Sequence, residues 1–254
     1  MALATLSFDS ALLHRPVSVS VLLPENTAPK GVLTLLHGYS NRYDSSLYFS
    51  RLPLYLLDIP LAVVMPDAGT SFYVDTAFGQ PYWQHISREI PEKLNQWLRL
   101  DIPRERCFVA GISMGGYGAA KLALSFPERY SHAFLYSPVT DLAEIAENGF
   151  DRSIDPNAPT AEDLHFGSLL GGRKVRDAGD DLFYLLDTAQ AESLPRFTIY
   201  TGTEDFLLRD IKRFARALEA KGLKPDIQTS PGIHCWYTWD PFIEKMAAQI
   251  AAWL

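Results

Sequence analysis

Only two of the 254 residues are cysteine, Cys107 and Cys235, and neither belongs to a C-x-x-C pair. That leaves no disulfide framework and no thiolate zinc site, and the expected state is two reduced thiols in a cytoplasmic protein. No apolar run approaches the length that crosses a bilayer. The stretch Met1 to Asp9 lacks the basic start and long apolar centre of a secretory signal, so none is expected. Basic clusters are missing too: 23 Lys and Arg stand against 30 Asp and Glu, a net charge of −7. Such a balance repels nucleic acid and anionic membrane surfaces, and neither is an expected partner. There is no internal repeat, low-complexity tract or linker, and no metal or cofactor pattern. What is present is 47% hydrophobic and 21% charged residues, enough apolar surface for one well-buried core.

The apolar residues are grouped in short runs. Arg15 to Pro24 alternates valine and serine as a half-exposed strand does, and is expected in an antiparallel opening hairpin. Gly31–Leu36, Leu61–Met65, Cys107–Ala110, Ser131–Ser137 and Arg196–Tyr200 are continuously apolar or nearly so, as in strands covered on both faces. A last strand is expected at Pro225–Thr229. Helical patterns separate them: a short one from Ser46 to Leu57, one from Trp83 to Leu100 with Ile86, Ile90, Leu94, Trp97 and Leu98 on one face, one from Phe206 to about Gly222, and a closing helix from Pro241 to Leu254. Alternating strands and helices predict an α/β fold, a single domain over 1–254 with a mostly parallel sheet and helices on both faces. The stretch 141–195 has no strand signal and reads as a helical insertion. Whether it caps a site or lies at the periphery is open on pattern alone.

One stretch carries chemistry. Gly111-Ile112-Ser113-Met114-Gly115 stands between the strand ending at Ala110 and a helical run from Tyr117, so Ser113 falls on a tight strand-to-helix turn. G-x-S-x-G is expected by chance about 0.1 times in a chain this long. Glycines flank such a serine because the turn leaves no room for a Cβ. A serine hydroxyl needs a base, and the base needs an orienting acid. In this architecture both lie on loops at the carboxyl ends of later strands, in the order Ser, acid, His. His234 directly follows the last strand, unlike His132 or His165. Gly202-Thr203-Glu204-Asp205 offers two acids after the preceding strand, Asp205 first and Glu204 second. For the oxyanion, the backbone N–H groups of Met114 and of Tyr39, in the loop His37-Gly38-Tyr39, are the expected donors. Phe72, Tyr73 and Trp236 are expected to contact substrate.

Phe108 to Gly118, with Leu35-Leu36-His37-Gly38 upstream, resembles the esterase D superfamily of α/β hydrolases, and is most similar to its bacterial tributyrin esterase branch. Val64-Met65-Pro66-Asp67, Ser71 to Asp75, Gly202 to Leu207 and His234 to Trp239 extend the likeness over residues 35 to 239. The resemblance implies an α/β-hydrolase fold, Ser113, Asp205 and His234 as nucleophile, acid and base, and a serine carboxylesterase for short-chain acyl esters that needs no cofactor. It favours Asp205 over Glu204. An S-formylglutathione hydrolase ranks second, because Tyr39-Ser40-Asn41-Arg42 lacks the cysteine that branch resembles having there. An acetyl or feruloyl carbohydrate esterase is a further alternative, and a non-catalytic binding protein of this fold is the alternative of another class. The expected partner is a small-molecule ester, and assembly into a homo-oligomer is left open.

Overall fold

In the computed structural model, which describes residues 1–177 and 179–254, the apolar runs pair into one eight-stranded sheet of order β1-β2-β4-β3-β5-β6-β7-β8. The hairpin β1 (Ala2–Ser10) and β2 (Arg15–Leu23) is antiparallel, and β2 joins β4 (Leu61–Pro66) antiparallel. From β4 onward, β3 (Gly31–Leu36), β5 (Cys107–Ile112), β6 (His132–Tyr136), β7 (Arg196–Gly202) and β8 (Asp226–Ser230) run parallel. Every residue of β4 is buried, whereas β8, at the sheet edge, is largely exposed or half-buried. Successive side chains alternate between faces. Val109 joins the layer under α4 (Ile90–Leu98), α5 (Met114–Ser125) and α9 (Leu208–Ala220), while Phe108 and Ala110 join the layer under α2 (Leu52–Tyr55) and α10 (Trp236–Trp253).

Three helical expectations shift. The run from Ser46 to Leu57 is broken into α1 (Ser45–Phe49) and α2 at Ser50 and Arg51. The run from Trp83 begins as α3 (Tyr82–Gln84), widens into a π turn at His85–Glu89 and continues as α4. Ile86, Ile90 and Leu94 are buried, but Trp97 is 40% exposed. It lies edge-on to Phe8 of the outermost strand at 5.1 Å, where the sheet ends and covers one side of the ring only. The last helix starts at Trp236, five residues before its expected start, and contains Pro241. The proline deprives only the Tyr237 carbonyl of its helical partner, and Tyr237, in the first turn, is 93% exposed.

The insertion holds α6 (Leu142–Asn148), α7 (Phe166–Leu170) and α8 (Leu182–Thr188). It is fastened to α5 from below. Lys121, on α5 and 1% exposed, pairs with the Asp180 carboxylate, and the Tyr117 hydroxyl donates to the Asp180 carbonyl. The Lys121 ammonium also donates to Tyr73 O at 3.0 Å and lies 4.0 Å from the Trp83 ring centroid. Cys107 and Cys235 are free thiols, and burial pushes the Cys107 thiol up to about 11. Among the described residues no helix is long and apolar enough to cross a membrane, and no cluster of side chains suits a metal ion.

Candidate active site

Ser113 sits between β5 and α5 with φ +56° and ψ −114°, a backbone that L-residues rarely adopt. Two glycines make the turn feasible. A Cβ at Gly111 would lie 2.0 Å from the Gly115 carbonyl oxygen, and one at Gly115 would lie 2.2 Å from the Leu36 carbonyl oxygen. Both obstacles are backbone and cannot yield. The turn is closed by Ser113 N–H donating to Tyr136 O at 2.8 Å and Val139 N–H donating to Ser113 O at 3.1 Å.

The loops after β5, β7 and β8 converge. His234 Nε2 lies 2.9 Å from Ser113 Oγ. On the other side of the ring, Nδ1 lies 2.9 Å from Asp205 Oδ2 and 3.1 Å from Oδ1. Asp205 is 2% exposed. Burial alone would raise its pKa, but the His234 bond and charge, the Ser137 hydroxyl and the Leu207 N–H outweigh it and hold the carboxyl below its ordinary value. A carboxylate only accepts, so the imidazole proton sits on Nδ1 and Nε2 is free to accept from the serine. Leu207 N–H also donates to Asp205 Oδ1 at 2.9 Å, closing a turn of the chain just ahead of α9, whose first turn takes no side-chain cap. Glu204 faces elsewhere. Its Oε2 accepts from Gly232 N–H at 2.7 Å, tying the acid loop to the histidine loop.

The loop after β3 comes alongside. A Cβ on Gly38 would be 3.6 Å from the Ser113 Cβ, and Gly38, Tyr39 and Met114 line the same cavity as Ser113. Buried His37 fixes this loop: Ala68 N–H donates to its Nε2 at 2.9 Å, so the ring proton is on Nδ1, which donates to Gly38 O at 2.8 Å. The Tyr73 hydroxyl donates to His37 O at 2.9 Å. Tyr73 is thus no substrate contact. It is fully buried behind the loop, outside the cavity lining, and its ring fills the space a side chain on Gly118 would need. Phe72 and Trp236 do line the cavity. Phe72 and Tyr73 both have left-handed φ, +49° and +52°.

The cavity holds about 300 Å³. Beside the residues expected from sequence it is walled by Phe206, Trp239 and Val139 of the frame and by Phe150, Pro159 and Leu164 of the insertion. Among the described residues no Lys, Arg, Asp or Glu lines it. The Phe206 ring packs on His234 at 4.6 Å and Trp239 meets it edge-on at 4.9 Å. Phe206 directly follows Asp205 and Trp239 stands five residues after His234, and that closeness was the available signal. The insertion residues carry none.

The Esterase family model matches residues 10–250. The chain belongs to the Esterase family. An acetyl esterase from Caldicellulosiruptor saccharolyticus is 25% identical over 96% of both chains. Two solved Staphylococcus aureus structures superpose on this esterase over 98% of each chain at 28% identity: the fluorophosphonate-binding serine hydrolase FphF, with a TM-score of 0.86, and the S-formylglutathione hydrolase FrmB, with 0.83. The esterase therefore has the α/β-hydrolase fold, is of the esterase D type and is a carboxylic ester hydrolase, whose substrates are small-molecule esters.

Proposed function

We propose that this esterase is a serine carboxylesterase of the tributyrin esterase branch, acting on short-chain, uncharged acyl esters through an acyl-enzyme. The observation that carries the reading is the unbroken chain of contacts Ser113 Oγ, His234 Nε2, His234 Nδ1, Asp205 Oδ2, with 2.9 Å at both ends. Ser113 Oγ attacks the ester carbonyl while His234 Nε2 takes its proton. Asp205 holds the imidazolium, and the Tyr39 and Met114 N–H groups receive the oxyanion. His234 then returns the proton to the departing alkoxide. A water molecule, deprotonated by His234, attacks the acyl carbonyl and releases the acid and Ser113. The insertion 141–195 acts as a cap: Phe150, Pro159 and Leu164 in the cavity wall support this over a peripheral role.

The wall composition supports the substrate class. A small cavity lined by aromatic and aliphatic groups favours a short apolar acyl group, in keeping with the acetyl esterase relative. A thioesterase reading draws on the likeness to FrmB. Against it, glutathione brings two carboxylates and an ammonium group, and among the described residues no Lys, Arg, Asp or Glu lines the cavity to meet them. A chain-length series of p-nitrophenyl esters beside S-formylglutathione tests the assignment. The highest kcat/KM is expected at acetyl to butyryl. A peak at octanoyl or longer, or a preference for S-formylglutathione, would overturn it.

A further inference from the structure

His234 returns its proton to the departing alkoxide, so the alcohol half of the ester must lie on the His234 side of Ser113. From that side a row of aromatic rings leads out of the cavity. Trp239 meets His234 edge-on at 4.9 Å, Trp236 meets Trp239 edge-on at 5.5 Å, and Phe49 stacks on Trp236 at 5.6 Å with 30° between the planes. Trp236 and Trp239 line the cavity, whereas Phe49 lies beyond its lining and is 59% exposed. A large apolar ring left to water and continuous with a catalytic cavity is the kind of exposure that marks a binding surface.

The two outer rings are held in place from below. Phe49 ends α1, and the break that follows it is fastened to Asp240 of α10, the helix that begins at Trp236. Arg51 N–H donates to Asp240 Oδ1 at 2.7 Å, Arg51 Nε to Oδ2 at 2.9 Å and the Tyr55 hydroxyl to Oδ2 at 2.8 Å. The elements that carry Phe49 and Trp236 are therefore tied to each other, and a ligand would meet a preorganised surface. Its chemistry is that of stacking on a flat apolar face. A sugar ring would also need hydrogen-bond partners around its rim, but the polar groups next to Phe49 are already engaged: Ser50 Oγ donates to Ser46 O at 2.6 Å, and Arg51 and Tyr55 bond Asp240.

We propose that Phe49 and Trp236 form an alcohol-side subsite of this esterase, which takes the aromatic ring of an aryl or arylmethyl alcohol. The inference rests on the Ser113–His234–Asp205 reading, which puts the leaving alcohol beside His234. It assigns specificity for the alcohol to a surface separate from the walls that meet the acyl group.

Benzyl acetate and ethyl acetate form the same acetyl-enzyme and differ only in the alcohol, so the ratio of their kcat/KM values isolates this subsite. Phe49→Ala should lower the benzyl-to-ethyl ratio roughly 3- to 10-fold, the range of one aromatic stacking contact. Phe49→Tyr keeps a ring and should keep the ratio within about twofold. Trp236→Leu should lower it at least as far as Phe49→Ala does. Because Phe49 is largely exposed, Phe49→Ala should melt at the native temperature, and its ratio remains readable in a folded protein. A ratio unchanged in Phe49→Ala, an equal loss in Phe49→Tyr, or a native protein with a higher kcat/KM for an acetylated glucopyranoside than for benzyl acetate would overturn the proposal. Fluorophosphonate labelling of the native protein keeps the two readings apart. Labelled Ser113 with an unchanged ratio defeats the subsite alone, whereas no labelling of Ser113 defeats the triad on which it rests.

Discussion

At the scale of the residue, the distinction between Asp205 and Glu204 carries the most information. They are neighbours in sequence, yet one is buried against His234 and the other is exposed and holds Gly232. Asp205→Asn should lower kcat by about 10⁴-fold with little change in KM, because an amide no longer selects the Nδ1–H tautomer. Glu204→Gln should cost less than about tenfold, since its amide oxygen still accepts from Gly232 N–H. Steady-state kinetics on both variants would expose an error: comparable losses, or a larger one for Glu204, would reverse the assignment.

At the scale of the element, the helix α5 joins catalysis to architecture. Its first residues form the turn that presents Ser113, and its third turn carries Lys121 into the ion pair with Asp180 of the insertion. Burial lowers the Lys121 pKa and the Asp180 charge only partly restores it. Removing one partner strands the other in a dry site, which typically costs about 3–5 kcal/mol. Lys121→Met should therefore lower unfolding free energy by roughly that amount in urea titrations, and Lys121→Met with Asp180→Leu should recover much of it. A single variant as stable as the native protein would show the pair to be dispensable.

The same elements show what a sequence can disclose. The placing of Ser113 and His234 on loops after β5 and β8 was legible because a strand end is marked by where an apolar run stops. The G-x-S-x-G spacing was legible because backbone crowding at Gly111 and Gly115 admits no side chain. The place of Tyr73 was not, because neighbours in a loop follow no periodicity: Phe72 lines the cavity, while Tyr73 is buried and bonded to His37 O. Trp97 obeyed its helical face but met the sheet's edge, a tertiary fact. Phe150, Pro159 and Leu164 were hidden for a related reason: tertiary contacts, such as Phe150 on Phe206 at 5.0 Å, bring them to the cavity.

At the scale of the whole molecule, stability should fall in mild acid. His132 is buried between strands, its Nε2 2.8 Å from Thr198 Oγ1, and burial pulls its pKa down to about 4. The unfolded chain takes up this proton near its ordinary value of about 6.5, whereas the folded protein refuses it until about pH 4. Stability is thus full above about 6.5 and is lost progressively as pH falls toward 4, by up to about 3 kcal/mol from this group. His132→Gln, which can still bond Thr198, should flatten the pH dependence of the unfolding midpoint over that interval. An unchanged slope would place the acid sensitivity elsewhere.

The central claim, that Ser113 is the nucleophile of this esterase, is met most directly by mass spectrometry after treatment with an organofluorophosphonate. The account predicts one adduct per chain, mapped to the peptide containing Ser113, with matching loss of p-nitrophenyl acetate hydrolysis and no adduct in Ser113→Ala. An unmodified Ser113, or a Ser113→Ala variant that hydrolyses the ester as fast as the native protein, would contradict it.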